Sequence, residues 1–154
     1  MPIDVGAVAP DFALNDQHGQ TVSLSDYRDK QHVLLVFYPW SFTGICTSEM
    51  CEIRDALPTL HGDESAVLAI SCDAMFTQRV FAEQEGLEYP VLSDFWPHGQ
   101  VASAYGVFDD RLGAAVRGTF VIDRGGVVRW RVVNGVGEAR ALSDYRRVLD
   151  DLVG

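Results

Sequence analysis

The chain has 154 residues, of which 47% are hydrophobic and 22% are charged, and its formal net charge is −10. This length and composition favour one globular domain over residues 1–154, with no apolar run near the roughly 20 residues of a membrane span. The negative charge argues against nucleic acid or an anionic membrane as a partner.

The N-terminal segment shows no targeting signal and leads into a hairpin. The first ten residues lack basic and apolar signal regions, which indicates a cytoplasmic protein. Two short alternating segments at 11–16 and 21–24 flank a polar connection, and this pattern predicts a β-hairpin. Residues 32–37 (HVLLVF) are an apolar run typical of a strand buried on both faces of a sheet.

A loop and a helix follow this strand and carry a cysteine. Pro39 lacks a backbone N–H, so residues 39–44 are predicted to form a loop. From Thr43 or Gly44 a helix is expected to continue to residue 60. Cys46 then lies in its first turn, where unpaired N–H groups and the helix dipole favour a thiolate, the form that attacks electrophiles.

The remaining strands are predicted from apolar runs. Residues 66–71 and 89–92 predict strands, and residues 114–123 and 127–133 predict a hairpin around a Gly-Gly turn. Cys72 follows the first of these strands. We interpret Cys72 as a structural thiol, because free cysteines are among the most buried residues.

Helical spacing of apolar residues recurs in three later segments. Residues 74–86, 100–105 and 138–152 predict helices. The first of these helices is expected to bury Phe76, Val80 and Phe81. The order strand, helix, strand, helix, antiparallel strand pair and helix is that of an α/β thioredoxin fold, with an N-terminal hairpin and an inserted middle segment.

Arg117 is the candidate cation for the cysteine. It stands immediately before the strand-like run GTFVID. Its side chain is expected to project from the end of a central strand, at the sheet edge where α/β proteins bind ligands. A cation there would further favour the thiolate of Cys46.

Two motifs resemble those of a known family. Residues 39–46 (PWSFTGIC) are similar to the P-x-x-x-[TS]-x-x-C signature of peroxiredoxins, and residues 117–120 (RGTF) to their R-[GS]-[TS]-F element. Residues 6–12 and 92–95 also match, so the resemblance covers nearly the whole chain. FTGIC and SDFWPHG resemble the alkyl hydroperoxide reductase E subfamily, whereas a second cysteine at Cys51 resembles the bacterioferritin-comigratory type.

The resemblance implies a thiol-dependent peroxidase that reduces hydrogen peroxide or organic hydroperoxides through a sulfenic acid on Cys46. We expect no cofactor or metal, because the sequence has neither a glycine-rich phosphate-binding motif nor a metal-ligand spacing. It assigns stabilisation of the departing oxygen to Arg117, the Thr43 hydroxyl and the Cys46 N–H. It also implies that Pro39 shields the pocket from water. Glu49, one turn after Cys46, is placed to orient the Arg117 guanidinium through a charge-assisted pair.

Two routes remain open for reducing the sulfenic acid. By resemblance, Cys51 resolves it as a disulfide. Residues five apart in an unbroken helix lie roughly 8–9 Å apart at Cα, whereas a disulfide needs less than about 7 Å, so the first turns would have to unwind. Otherwise the reductant is a thioredoxin, a mycoredoxin-like protein or a low-molecular-weight thiol. The resemblance also implies a homodimer, with residues 93–99 near the contact.

Two other functions fit a redox-active cysteine. A thiol–disulfide oxidoreductase is disfavoured because that chemistry usually shows C-x-x-C, whereas this chain has C-x₄-C. A non-enzymatic redox relay or sensor would dock a partner in its oxidised form. Rapid consumption of hydroperoxide by the purified protein with a thiol reductant distinguishes a peroxidase from both.

Overall fold

A mixed β-sheet forms the centre of the computed structural model, which describes residues 1–60 and 62–154. Its strands are β1 (Ala13–Asn15), β2 (Thr21–Ser23), β3 (His32–Phe37), β4 (Ser65–Ser71), β5 (Val91–Ser93), β6 (Phe108–Asp109), β7 (Ala114–Ala115), β8 (Arg117–Ile122) and β9 (Val128–Asn134). Its α-helices are α1 (Gly44–Ala56), α2 (Met75–Glu85), α3 (Gln100–Ala104) and α4 (Leu142–Val153). Short 3₁₀ helices cover Leu24–Tyr27 and Leu57–Thr59.

The order of the strands brings the end of β3 beside the start of β8. Within the described residues, one sheet has the order β2-β1-β5-β4-β3-β8-β9, and β6 pairs with β7 separately. β3 runs parallel to β4 and antiparallel to β8, with Val36 opposite Thr119. Because the two strands are antiparallel, the first residues of β8 lie next to the loop that leaves β3.

Hydrophobic cores cover both faces of this sheet. Side chains alternate along β3, so Leu34 and Val36 join the core beneath α1 and α4. Val33, Leu35 and Phe37 point the other way and join the core beneath α3 and the N-terminal segment. All six residues of β3 are buried, as the apolar run predicted.

The predicted α/β thioredoxin fold is confirmed. β1 and β2 form the N-terminal hairpin, with Leu14 opposite Val22, and β8 and β9 form the C-terminal one. The strand predicted over 114–123 is wrong at its start, because β7 is separate from β8 and pairs with β6. The middle insertion contains α3, β6 and β7. The loop predicted at 61–65 begins at His61, which lies outside the described residues, and β4 already begins at Ser65. Over the described part of the chain, the helices are too short or too polar to cross a membrane.

Two helices differ from their predicted bounds by several residues. α1 ends at Ala56 rather than residue 60, and a 3₁₀ turn containing Pro58 follows, because proline has no N–H to continue the α-helical hydrogen bonds. α4 begins at Leu142 rather than residue 138. The residues just before α4 therefore lie outside the helix, and one of them, Arg140, reaches the site described below.

The predicted apolar face of α2 is wrong in two of its three residues. Phe76 and Val80 are 67% and 54% exposed, and Phe81 alone of the three is buried. The buried face instead includes Gln78, whose Nε2 donates to Ser71 Oγ and to the Leu92 carbonyl. A polar side chain is buried here because it forms hydrogen bonds with a hydroxyl of β4 and a backbone carbonyl of β5.

Candidate active site

Cys46 is the third residue of α1 and is completely buried. The loop 39–43 connects β3 to α1, so the cysteine lies close to the end of the central strand, at the start of the helix. The backbone N–H groups of Gly44, Ile45 and Cys46 have no hydrogen-bond partner among the described residues. Unpaired first-turn N–H groups form a site that favours a negative charge.

Thr43 occupies the N-cap position but does not cap the helix with its side chain. Its backbone is extended, with φ −91° and ψ 155°. The hydroxyl donates to the carbonyl of Trp40 at 2.8 Å instead of accepting from a first-turn N–H. The hydroxyl therefore stabilises the loop, and the first-turn N–H groups stay available.

Arg117 contacts the same helix through a buried ion pair. Its Nη1 donates to Glu49 Oε1 at 2.6 Å, and both side chains are buried. Its Nε donates to the carbonyl of Val136 at 2.8 Å. Nη2 makes no hydrogen bond within the part of the chain that the structure describes. Since Cys46 and Glu49 are one helical turn apart, the guanidinium lies on the cysteine side of α1. Its Nη2 is available there as a donor.

Arg140 is a further member of the site that sequence reasoning missed. Its Nη2 donates to Glu49 Oε1 at 2.8 Å, and its Nε and backbone N–H donate to Oε2 at 3.0 and 2.7 Å. Its Nη1 donates to the carbonyls of Phe37 and Gly118. Arg140 therefore joins α1 to the ends of β3 and β8. No sequence motif includes Arg140. The helix predicted from residue 138 assigned Arg140 to a helix and gave no reason to connect it with Glu49.

The two arginines keep Glu49 ionised. Burial raises the pKa of this carboxyl, but the hydrogen bonds and charge of Arg140 and the charge of Arg117 outweigh it and hold the pKa below its ordinary value. A buried carboxylate with two cationic partners forms a fixed support for both guanidinium groups.

Asp73, in the connection between β4 and α2, forms a hydrogen bond with the loop 39–43. Asp73 Oδ2 accepts from the backbone N–H of Ser41 at 2.8 Å. The Ser41 hydroxyl shares a 2.9 Å hydrogen bond with the hydroxyl of buried Tyr38. Pro39 is buried between Tyr38 and exposed Trp40. Asp73 was not anticipated either, because a single aspartate after a strand carries no distinctive sequence signal.

The other two cysteines lie apart from this cluster. Cys51 lies in the middle of α1 and donates its thiol to Glu85 Oε1 of α2 at 3.4 Å. Its pKa is raised, by burial and then by the hydrogen bond to Glu85. Burial and the charge of Asp94 raise the pKa of the Cys72 thiol to about 12. Both are therefore protonated thiols at neutral pH.

The site combines a buried nucleophile with donors that can stabilise an anion. Cys46 supplies the sulfur, and the first-turn N–H groups together with Arg117 Nη2 supply unpaired donors. Glu49 and Arg140 hold these elements together. Such an arrangement is suited to a displacement reaction in which negative charge develops on a leaving oxygen.

Comparison with known proteins gives consistent matches. The AhpC/TSA family model matches residues 5–131. The chain is 51% identical over 138 residues to alkyl hydroperoxide reductase E of Mycobacterium tuberculosis, with 90% of each chain covered. It is 33% identical over 158 residues to the chloroplastic 2-Cys peroxiredoxin BAS1 of Hordeum vulgare, covering 96% of this chain and 74% of that protein. The crystal structure of peroxidoxin BcpB from Mycobacterium tuberculosis matches with a TM-score of 0.87 at 31% identity, covering 97% of this chain and 98% of that one.

Proposed function

The chain belongs to the AhpC/TSA family of peroxiredoxins and is a thiol-dependent peroxidase, and we propose that Cys46 is the thiol that peroxide oxidises. The observation that carries this proposal is the buried pair between Glu49 and Arg117, one helical turn from Cys46. It supports the proposal because it brings a cation from a distant strand to the helix end that already favours a thiolate. A thiol–disulfide oxidoreductase is not favoured by the family.

In the proposed reaction, the Cys46 thiolate attacks one oxygen of the hydroperoxide ROOH. A sulfur–oxygen bond forms as the oxygen–oxygen bond breaks, so the sulfur is oxidised to a sulfenic acid and the peroxide is reduced. The departing RO⁻ takes a proton from solvent, which balances the proton that Cys46 released on becoming a thiolate, and leaves as an alcohol, or as water when the substrate is hydrogen peroxide.

The departing oxygen carries the developing charge, and we assign its stabilisation to the unpaired donors. Arg117 Nη2 and the Cys46 N–H would donate to it, and Glu49 would keep the guanidinium in place. The Thr43 hydroxyl, which is bound to Trp40 in this structure, would reorient or act by shaping the loop. Buried Pro39 would exclude water, which strengthens each of these interactions.

For the second half of the cycle, we propose that Cys51 resolves the sulfenic acid. Condensation of its thiol with the sulfenic acid releases water and leaves a disulfide. α1 is unbroken from Gly44 to Ala56, so its first turns must unwind to bring the sulfurs together. Because Cys46 is completely buried, direct attack by an external thiol also requires opening, whereas Cys51 is partly exposed. A thioredoxin, a mycoredoxin-like protein or a low-molecular-weight thiol would then reduce the disulfide.

An exposed aromatic surface supports a proposal about the oligomeric state. Phe76, Phe95 and Trp96 are at least half exposed and border a groove of about 500 Å³. Contiguous exposed aromatic residues of this kind mark protein contacts, and we propose that a second copy of the chain covers them in a homodimer.

The similarity to an alkyl hydroperoxide reductase supports organic hydroperoxides as substrates. The cytoplasmic location stays a prediction.

Mass spectrometry after one equivalent of peroxide tests the assignment of Cys46. A gain of about 16 Da on the Cys46 peptide identifies the sulfenic acid, and a loss of about 2 Da identifies a disulfide. Cys46→Ser should show neither change and no peroxidase turnover. Wild-type turnover in Cys46→Ser would show that another thiol reacts with the peroxide.

A further inference from the structure

We propose that Asp73 is a positioning residue for the peroxidase reaction, acting through the loop 39–43. The inference rests on Cys46 being the oxidised thiol, as proposed above. Asp73 lies outside the motifs at 39–46 and 117–120, and it belongs to the connection between β4 and α2. Its carboxylate reaches across to the loop that carries Pro39 and Thr43.

The backbone of the loop is tied to the rest of the protein at Ser41. Among the described residues, the Ser41 N–H is the loop's only backbone donor that forms a hydrogen bond, and its acceptor is Asp73 Oδ2 at 2.8 Å. The next residue, Phe42, has a φ of 70°, in the left-handed region that a bulky side chain rarely adopts. Such a conformation persists only when its surroundings enforce it. The hydrogen bond to Ser41 constrains the backbone directly before Phe42, and the ring of Phe42 packs edge-to-face on buried Phe81.

Asp73 is itself held firmly enough to act as an anchor. Ser71 Oγ donates to the same carboxylate oxygen at 2.7 Å. The Ser93 hydroxyl donates to the Asp73 carbonyl at 2.7 Å, and the Asp73 N–H donates back to Ser71 Oγ. Asp73 is thus tied to the ends of β4 and β5, which belong to the central sheet. The carboxylate of Asp73 thus links the backbone of the loop to the sheet.

This anchor sets the position of the groups that the reaction needs. Ser41 lies between Pro39, which shields the pocket, and Thr43, which precedes the first-turn N–H groups. If the hydrogen bond is lost, the loop can relax at Phe42 and shift these groups relative to Cys46. A misplacement of about 1 Å can cost on the order of a hundredfold in rate. The thiol itself would stay in place, because the buried core beneath α1 holds it.

The test compares two reactions of the same thiol. Stopped-flow measurement of peroxide oxidation depends on the positioned donors, whereas alkylation by iodoacetamide depends on the thiolate and its access. Asp73→Ala is expected to lower the peroxide rate about tenfold to a hundredfold without lowering the alkylation rate, because a relaxed loop does not hinder access to the buried thiol. Asp73→Asn keeps an oxygen acceptor for Ser41 and should restore most of the lost peroxide rate.

Asp123→Ala is the matched control. Asp123 also accepts hydrogen bonds from backbone N–H groups, those of Gly125 and Val127, but it lies at the end of β8 away from Arg117. Its loss should lower the free energy of unfolding without changing the ratio of the peroxide rate to the alkylation rate. An equal loss of both rates in Asp73→Ala, or no loss in either, overturns the inference.

Two further variants keep the test decisive. If Asp73→Ala does not fold, Asp73→Glu moves the carboxylate by one methylene and should still lower the peroxide rate selectively, so an unchanged ratio contradicts the inference. Cys46→Ser separates the two proposals. An inactive Cys46→Ser with an unchanged Asp73→Ala overturns only the role of Asp73, whereas an active Cys46→Ser overturns the assignment of Cys46.

Discussion

Arg140 encloses the carboxylate of Glu49 with three hydrogen bonds, from its backbone N–H, Nε and Nη2, at 2.7, 3.0 and 2.8 Å. The two residues are 91 positions apart in the sequence. Arg117 binds the same carboxylate through Oε1, so Arg140 fixes the support on which the guanidinium of Arg117 rests. The orientation of Arg117 toward the first turn of α1 therefore depends on a residue outside both sequence motifs.

Replacing Arg140 should damage both stability and catalysis. Arg140→Ala leaves Glu49 buried with one partner, and breaking a buried ion pair in this way costs about 3–5 kcal/mol, measurable by urea denaturation. Arg140→Lys keeps the charge but loses the planar fork, so peroxide oxidation of Cys46 should slow about tenfold or more. Arg147→Lys, at an exposed arginine of α4, should change stability by less than about 0.5 kcal/mol. Wild-type kinetics in Arg140→Lys would contradict the positioning of Arg117 by Glu49.

The stability contributed by Glu49 should depend on pH in a defined direction. Its pKa in the folded protein lies below the ordinary value of 4.5, so its contribution is complete above that value and is lost as the pH falls through the folded pKa. The difference in unfolding free energy between wild type and Glu49→Gln should stay constant from neutral pH down to about 5 and shrink below it.

Exposed Glu52 on the same helix gives the control for this pH dependence. Glu52→Gln should differ little from wild type at any pH, because an exposed carboxylate gains little from folding. A difference between wild type and Glu49→Gln that widens on acidification would show that Glu49 is not held ionised by the arginines.

Cys51→Ser should separate the two steps of the cycle. Trp40 lies in the loop before Cys46, so its fluorescence should report sulfenic acid formation and then the unwinding of α1. Cys51→Ser should keep the first phase, abolish the second and make Cys46 prone to over-oxidation to sulfinic acid. Cys72→Ala should keep both phases, because that thiol is buried and protonated. Identical single phases in wild type and Cys51→Ser would point to an external reductant.

Trp96→Glu should disrupt the proposed homodimer. Trp96 is 81% exposed beside Phe95, and a carboxylate buried there against a second copy would be unpaired. Sedimentation velocity at micromolar concentration should show wild type as a dimer and Trp96→Glu as a monomer. Val133→Glu, on the exposed edge strand β9, should remain dimeric. A monomeric wild type, or dissociation caused only by Val133→Glu, would contradict the proposed contact face.

Local patterns predicted the elements that carry the chemistry. The apolar run at β3, the proline-led loop and the helical spacing after it placed Cys46 in the first turn of α1, because each depends on neighbours within a few residues. Arg117 was expected at a strand end, and Glu49 one turn after Cys46 follows from helix geometry. Their ion pair is present at 2.6 Å. The roles of these residues in catalysis stay predictions.

The tertiary structure decided what holds these elements in place. Asp73 and Arg140 act across 32 and 91 residues, where no sequence periodicity connects donor and acceptor. The apolar face predicted for α2 was wrong because Gln78 satisfies polar groups at the ends of two strands, a requirement that exists only once the sheet has formed. Local spacing identifies a helix, whereas the burial of a polar residue on it and the partner of a buried charge or amide depend on which distant backbone lies beside it.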